Sequence, residues 1–206
     1  PALGMRLDSN WYPVFLNRAK LKSMGYQVKF HNYATVPLKK LAATVIVDYQ
    51  VGKNLTNMTK SHESRNEALA QYLQKIASKG KKIILFDTKD GTNIQYNLLP
   101  HVDLYCKKQL IKDRALYRQP LIGDRLYTDY YAKTYQVNNK DYPEFEEPTN
   151  AEFDLYATNQ DKLALAWNLL LAINQFSSYW AFLKFLLRQR IKIAYTSPDS
   201  PKPILL

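Results

Sequence analysis

Residues 81–135 hold most of the side chains in this chain that are able to do chemistry. They read KKIILFDTKDGTNIQYNLLPHVDLYCKKQLIKDRALYRQPLIGDRLYTDYYAKTY. An apolar run ends at Asp87, and the polar turn Asp87-Thr88-Lys89-Asp90-Gly91-Thr92 follows. A carboxylate in that place can bind a sugar hydroxyl, orient a metal or act as a general base. Asp-Gly is also a strong turn dipeptide, so Asp90 has a second explanation in backbone conformation. Asp87, immediately after the apolar run, is the better acid, and Gly91 and Thr92 complete the turn as ligand-binding candidates. Asp48 closes an earlier apolar run in the same way, and His31 ends another. If Asp48 and Asp87 came within about 6 Å of each other, one would have a raised pKa and could serve as a general base. His31 could join them, or could simply bond a loop.

Cations follow. Tyr105, Lys107, Lys108, Lys112, Arg114 and Arg118 cluster after a strand pattern, where lysine and arginine can hold phosphate or carboxylate groups. At helical spacing, Lys108, Lys112 and Asp113 make an equally good solvated face. Arg125 stands beside Tyr127, Tyr130 and Tyr131. Such sets bind sugars by stacking, or bases of single-stranded nucleic acid, although tyrosines also pack as core edges. Several signatures are missing: Gly-x-Gly-x-x-Gly, a P-loop, Cys/His zinc spacing and Gly-x-Ser-x-Gly.

The elements that must position these residues alternate in type. Asp8, Ser9 and Pro13 open a helix that Gly25 stops. Residues 26–30 alternate as a short strand and 37–42 suit a brief helix. The β-branched run 43–49 reads as a strand covered on both faces. Residues 52–60 read as polar loop, 61–78 as a helix ended by Gly80, and 83–86 and 102–105 as further strands. Residues 106–135 look like helical and loop pieces. This pattern predicts an α/β fold, Rossmann-like, with a mostly parallel sheet flanked by helices and right-handed crossovers. In such sheets ligands sit beyond the carboxyl ends of the strands, where the acids and cations above fall.

The domain plan is then a Rossmann-like domain over 1–135, an acidic loop or linker over 136–160, a long apolar helix or helix pair over 161–192 and an extended tail over 193–206. Asp161 caps the long helix, which runs from 162 to about 187. Asn168, Asn174, Gln175, Ser177, Ser178 and Lys184 argue against a membrane span. A buried helix broken near 175–178 fits, and so does a helix lying on a membrane surface, given Arg188, Arg190 and Lys192 beside Trp180, Phe182 and Phe185.

Composition sets wider bounds. The 206 residues suffice for one substantial core or two small domains, and 46% apolar content is ordinary for a globular protein. A single cysteine, Cys106, excludes an internal disulfide framework and reads as a buried small hydrophobe. The net charge is +11, while residues 140–154 carry a net −5, leaving about +16 on the rest. Such a surface favours nucleic acid, a phosphorylated ligand or an acidic membrane face. The start without Met and the apolar end suggest a piece of a longer protein.

The run FDTKDGT, followed by LPHVDLYCKKQLIKDRALY and then GDRLYTDYY, resembles glycosyltransferase-like proteins of bacterial polysaccharide clusters. These look like GT-B enzymes, in which two Rossmann-like halves face a cleft. The matching part covers about residues 81–135. The resemblance implies that this chain is the N-terminal, acceptor-side half, with the donor site in a C-terminal half. The partners would be a nucleotide sugar and a sugar acceptor on a polysaccharide or lipid. It implies no bound metal and no other cofactor. It fits a cytoplasmic enzyme, which the basic surface and the segment 180–192 could bring to the inner face of an anionic membrane. The candidate catalytic residues are Asp87, Asp90, His31 and Asp48. The candidate ligand-binding residues are Gly91, Thr92, Tyr105, Lys107, Lys108, Arg114, Arg125 and Tyr130. The competing expectation is a non-enzymatic, basic nucleic-acid-binding α/β module. Charge and sixteen tyrosines favour it; the lack of a reading helix, an RNA-binding strand motif or a zinc finger argues against it.

Overall fold

A computed structural model describes residues 9–11, 13–14, 17–31, 36–56, 61–136 and 149–166. The chain divides into two units, Pro1–Leu169 and Leu170–Leu206, and every described residue lies in the first. Its centre is a parallel four-stranded sheet: β1 (Thr44–Asp48), β2 (Lys82–Asp87), β3 (Leu104–Lys107) and β4 (Leu163–Leu165), in the order 1-2-3-4. The helices are α1 (Arg18–Ser23), α2 (Gln50–Leu55), α3 (His62–Ala77), α4 (Leu126–Thr134) and α5 (Asn150–Asn159), with 3-10 turns between them. The α/β class and the parallel sheet flanked by helices are as expected from the sequence.

The order 1-2-3-4 has a simple consequence. Each strand is laid beside the last in one direction, so right-handed crossovers place the described connecting elements over the same face of the sheet. One core forms there. Leu69, Leu73 and Ile76 of α3 are buried in one cluster with Val47, Ile83, Leu85 and Tyr105 of the strands. Tyr96, Tyr117 and Tyr156 extend it towards α5. On the other face Ile46 is exposed and Ile84, Leu104 and Cys106 are half-buried, while Phe86 lies beneath the Trp11 ring. Cys106 is thus half-buried rather than fully buried, because its side chain points to that thinner face.

Local chemistry sets the helix ends. The Ser61 hydroxyl accepts from the Ser64 amide at the start of α3, and Gly80 turns away after it with φ +67. Thr149 and Glu152 form a reciprocal capping box on α5.

Several expectations need correction. Residues 26–30 form no strand; an alternating pattern supplies a face, but a strand also needs a hydrogen-bonding neighbour, and β1 takes only β2 among the described residues. The stretch read as a loop over 52–60 begins inside α2. Gly52 there is a packing glycine: an added Cβ would meet the Arg65 carbonyl oxygen at 3.1 Å and Leu69 Cβ at 3.3 Å, so its absence lets α2 lie close on α3. The stretch read as an acidic loop over 136–160 contains α5, fixed by its cap and by Phe153 and Tyr156 against Tyr96. The helix expected from 162 starts instead as β4, because the open edge of β3 offers a hydrogen-bonding partner to Leu163, Ala164 and Leu165. The remainder of the expected long apolar helix, and the tail, lie outside the described residues. No described helix is long and apolar enough to cross a membrane.

Candidate functional site

Parallel pairing delivers three chemically capable ends to one edge of the sheet. Asp48 pairs with Phe86, and Asp87 pairs with Lys107. Because side chains alternate along a strand, this register also decides which face each one takes. Asp48 shares the face of Phe86. Asp87 takes the opposite, core-side face, together with Tyr105 and Lys107. Asp48 and Asp87 therefore share an edge but take opposite faces of the sheet and do not converge as a carboxylate pair.

On the core side, Asp87 is fully buried and saturated. Its Oδ2 accepts from the Tyr105 hydroxyl at 2.6 Å and from Lys107 Nζ at 2.9 Å, and its Oδ1 accepts from the Lys89 amide at 2.9 Å. Lys107 is fully buried as well. The network continues inwards. The Gln95 amide donates to the Tyr105 oxygen at 3.1 Å, Asn66 Nδ2 donates to Gln95 Oε1 at 2.7 Å, and the Tyr49 hydroxyl donates to Asn66 Oδ1 at 2.9 Å. Burial lowers the Lys107 pKa, with Asp87 opposing the fall and Lys89 and Lys108 adding to it. Burial, then the Asp87 charge, raises the Tyr105 pKa well above that of a free phenol. An acid held by three donors and closed to solvent cannot take a proton from an incoming hydroxyl. Its physical role is to order the carboxyl ends of β2 and β3.

The solvent side of the same ends is different. Asp90 is exposed over 79% of its side chain, yet its Oδ1 lies 2.8 Å from Lys108 Nζ, whose own side chain is only 4% exposed. The Lys108 hydrogen bond leads the causes that lower the Asp90 pKa, and Arg125 and Lys107 contribute by charge. Arg125 is close: its Nε stands 3.5 Å from where a Cβ on Gly91 would be. Gly91 is buried, and the same Cβ would come to 2.6 Å from Asn93 Oδ1. Arg125 also donates to the Tyr127 hydroxyl and begins α4. Lys107 thus serves Asp87 on the core side, while Lys108 and Arg125 serve Asp90 on the solvent side.

Helix α4 turns its aromatic residues outward. Tyr127, Tyr130, Tyr131 and Tyr135 are all more than half exposed, with Tyr130 at 63%. Tyr131 and Tyr135 stack with an interplanar angle of 12° and ring centroids 6.2 Å apart. Inward it presents Ala132 and the buried Asp129, which accepts from the Ile122 amide and pairs with Lys133.

The remaining candidates lie elsewhere. Asp48 accepts from the Trp11 indole, the Gln50 amide and the Thr88 hydroxyl. His31 is exposed and follows Phe30, whose ring packs on Trp11. Arg114 belongs to the α5 packing, where its carbonyl oxygen accepts from the Tyr156 hydroxyl. Thr92 offers its carbonyl oxygen to Tyr117, and its own hydroxyl oxygen is buried without a hydrogen-bond partner. Among the described residues, no three of His, Cys, Asp and Glu gather as a metal site.

Sequence reasoning did not single out Tyr49, Asn66, Gln95 or Lys89. Asn66 carried a signal, since it stands three and seven residues before Leu69 and Leu73 on the buried stripe of α3. A polar residue in such a stripe requires a buried partner. Gln95, in a coil segment, carried none. No known protein family, no curated protein and no solved structure matches the chain.

Proposed function

We propose that the chain is the Rossmann-like, acceptor-side half of a GT-B-type glycosyltransferase, which moves a sugar from a nucleotide donor to a polysaccharide or lipid-linked acceptor. One observation carries this: an exposed carboxylate, Asp90, stands beside Lys108 and Arg125 at the carboxyl ends of parallel strands, the edge at which open α/β sheets take ligands. In this scheme Asp90 accepts the proton of the acceptor hydroxyl. The cations steady phosphate charge, and the outward tyrosines of α4, Tyr130 among them, offer ring faces to sugar units. Asp87 is a positioning residue that acts through Lys107 and the turn it fixes.

The test uses the complete two-domain protein with a panel of nucleotide sugars and saccharide or isoprenyl-phosphate acceptors, reading release of nucleoside diphosphate. Turnover with one donor is expected. Asp90→Asn is expected to cut kcat by at least about tenfold, the low end for loss of a general base, with the fold unchanged by circular dichroism. No turnover across the panel, or full activity in Asp90→Asn, would overturn the assignment. Tight binding of single-stranded nucleic acid that weakens steeply with salt would point instead to the basic binding module.

A further inference from the structure

The Lys108–Asp90 pair is lopsided. The ammonium is almost wholly enclosed, while the carboxylate reaching it sits on an exposed turn. The stem of Lys108 is thus built into the protein, and among the described residues the carboxylate on its Nζ comes from the solvent side. Arg125 approaches the same turn at Gly91, and it also lowers the Asp90 pKa through its charge. An enclosed ammonium and an exposed guanidinium about one carboxylate make the donor set that a phosphate group takes. We propose that Asp90 is a built-in stand-in for a ligand's phosphate, and that a phosphate or pyrophosphate group displaces its carboxylate from Lys108 and is then bound by Lys108 and Arg125.

This rests on the transferase assignment only for the identity of the phosphate's carrier. Displacement links binding to catalysis there: a carboxylate released from Lys108 is a stronger base than one bonded to it, because the bond favours the charged form.

Asp90 competes with the ligand, so removing its charge has a counter-intuitive effect. Asp90→Asn is expected to tighten binding of inorganic pyrophosphate by about three- to fivefold, the scale of an exposed ion pair. Arg125→Gln is expected to weaken it by about tenfold, the scale of a charge-assisted hydrogen bond. The measurement is calorimetric titration of the 206-residue chain with inorganic pyrophosphate, UDP and a short isoprenyl pyrophosphate as separate arms. Equal affinity in all three assigns recognition to the pyrophosphate itself; a gain with UDP or with the isoprenyl chain assigns the carrier. Arg125 is exposed, so its variant reports on the site without disturbing the core; Lys108→Gln, checked for folding, is the second removal. Unchanged or weaker binding in Asp90→Asn, binding indifferent to Arg125→Gln, or no binding in any arm overturns the proposal. Pyrophosphate binding needs neither a donor domain nor turnover, so its failure and the failure of sugar transfer are read separately.

Discussion

Lys107→Met lowers the free energy of unfolding by about 3–5 kcal/mol, the cost of removing one partner of a buried ion pair. The size follows from what is left behind. Asp87 is fully buried, and without Lys107 it keeps only the Tyr105 hydroxyl and the Lys89 amide, two neutral donors, for a full negative charge. Methionine fills the space of the lysine stem, so the loss reports charge rather than volume. The triple variant Asp87→Leu, Tyr105→Phe, Lys107→Met removes the acid together with both side-chain donors. It recovers part of that loss, because a buried pair exchanged for apolar residues of similar volume is often close to neutral. The Lys89 amide and the buried Gln95 amide still lose their acceptors, which sets a residual cost of about 1–3 kcal/mol for each that water does not reach. Urea unfolding of the wild type, the single variant and the triple variant measures the difference. A single variant within about 1 kcal/mol of wild type would show that the charges are not buried against each other as the geometry requires. Three of the site candidates, Asp87, Tyr105 and Lys107, thereby take on a structural explanation that the exposed Asp90 does not share.

The sequence made the sheet edge legible, but not the division of labour on it. Apolar runs ending in Asp48 and Asp87 located β1 and β2, since a continuous β-branched stretch bounded by turn residues has few other uses. Which face each acid takes depends on the register between strands, and a shift of one residue would reverse it. Nothing in TVIVD or KIILFD states that Asp48 pairs with Phe86. Lys107 was read among cations following a strand, whereas it closes β3 itself; strand ends are poorly marked when the last residue is a lysine whose stem is apolar. Helix α5 could have been found, because Thr149 and Glu152 carry the capping-box spacing, but the proline-bearing acidic surroundings masked it. β4 was beyond local reasoning: Leu-Ala-Leu favours helix, and only the unfilled edge of β3 makes it a strand.

Raising the pH above about 10 destabilises the protein steeply. Tyr49, Tyr105, Tyr117 and Tyr156 are buried, and each has its pKa raised above the ordinary phenol value, chiefly by burial. In the unfolded chain the same phenols ionise near 10. Between that value and the folded pKa, the native state holds protons that the unfolded state has lost, so stability falls as pH rises. The contribution is fully present below 10 and is lost as pH climbs through the folded values, at up to about 1.4 kcal/mol per pH unit for each tyrosine. Lys107 works the other way. Its lowered pKa means that the unfolded state binds the extra proton just below 10.5, which adds stability with rising pH, but it is one group against four. Thermal unfolding between pH 8 and 11, followed by circular dichroism, should show a midpoint that drops sharply beyond pH 10. The part of the phenolate absorbance that belongs to the four buried rings should appear only with loss of structure. Tyr105→Phe removes one of the four terms and makes the fall shallower, even though the variant starts from a lower stability because Asp87 and the Gln95 amide lose a partner. A midpoint that stays level from pH 9 to 11, or phenolate absorbance that reaches its full value while the fold is intact, would show that these rings are open to solvent and that the polar network beneath the site is not closed.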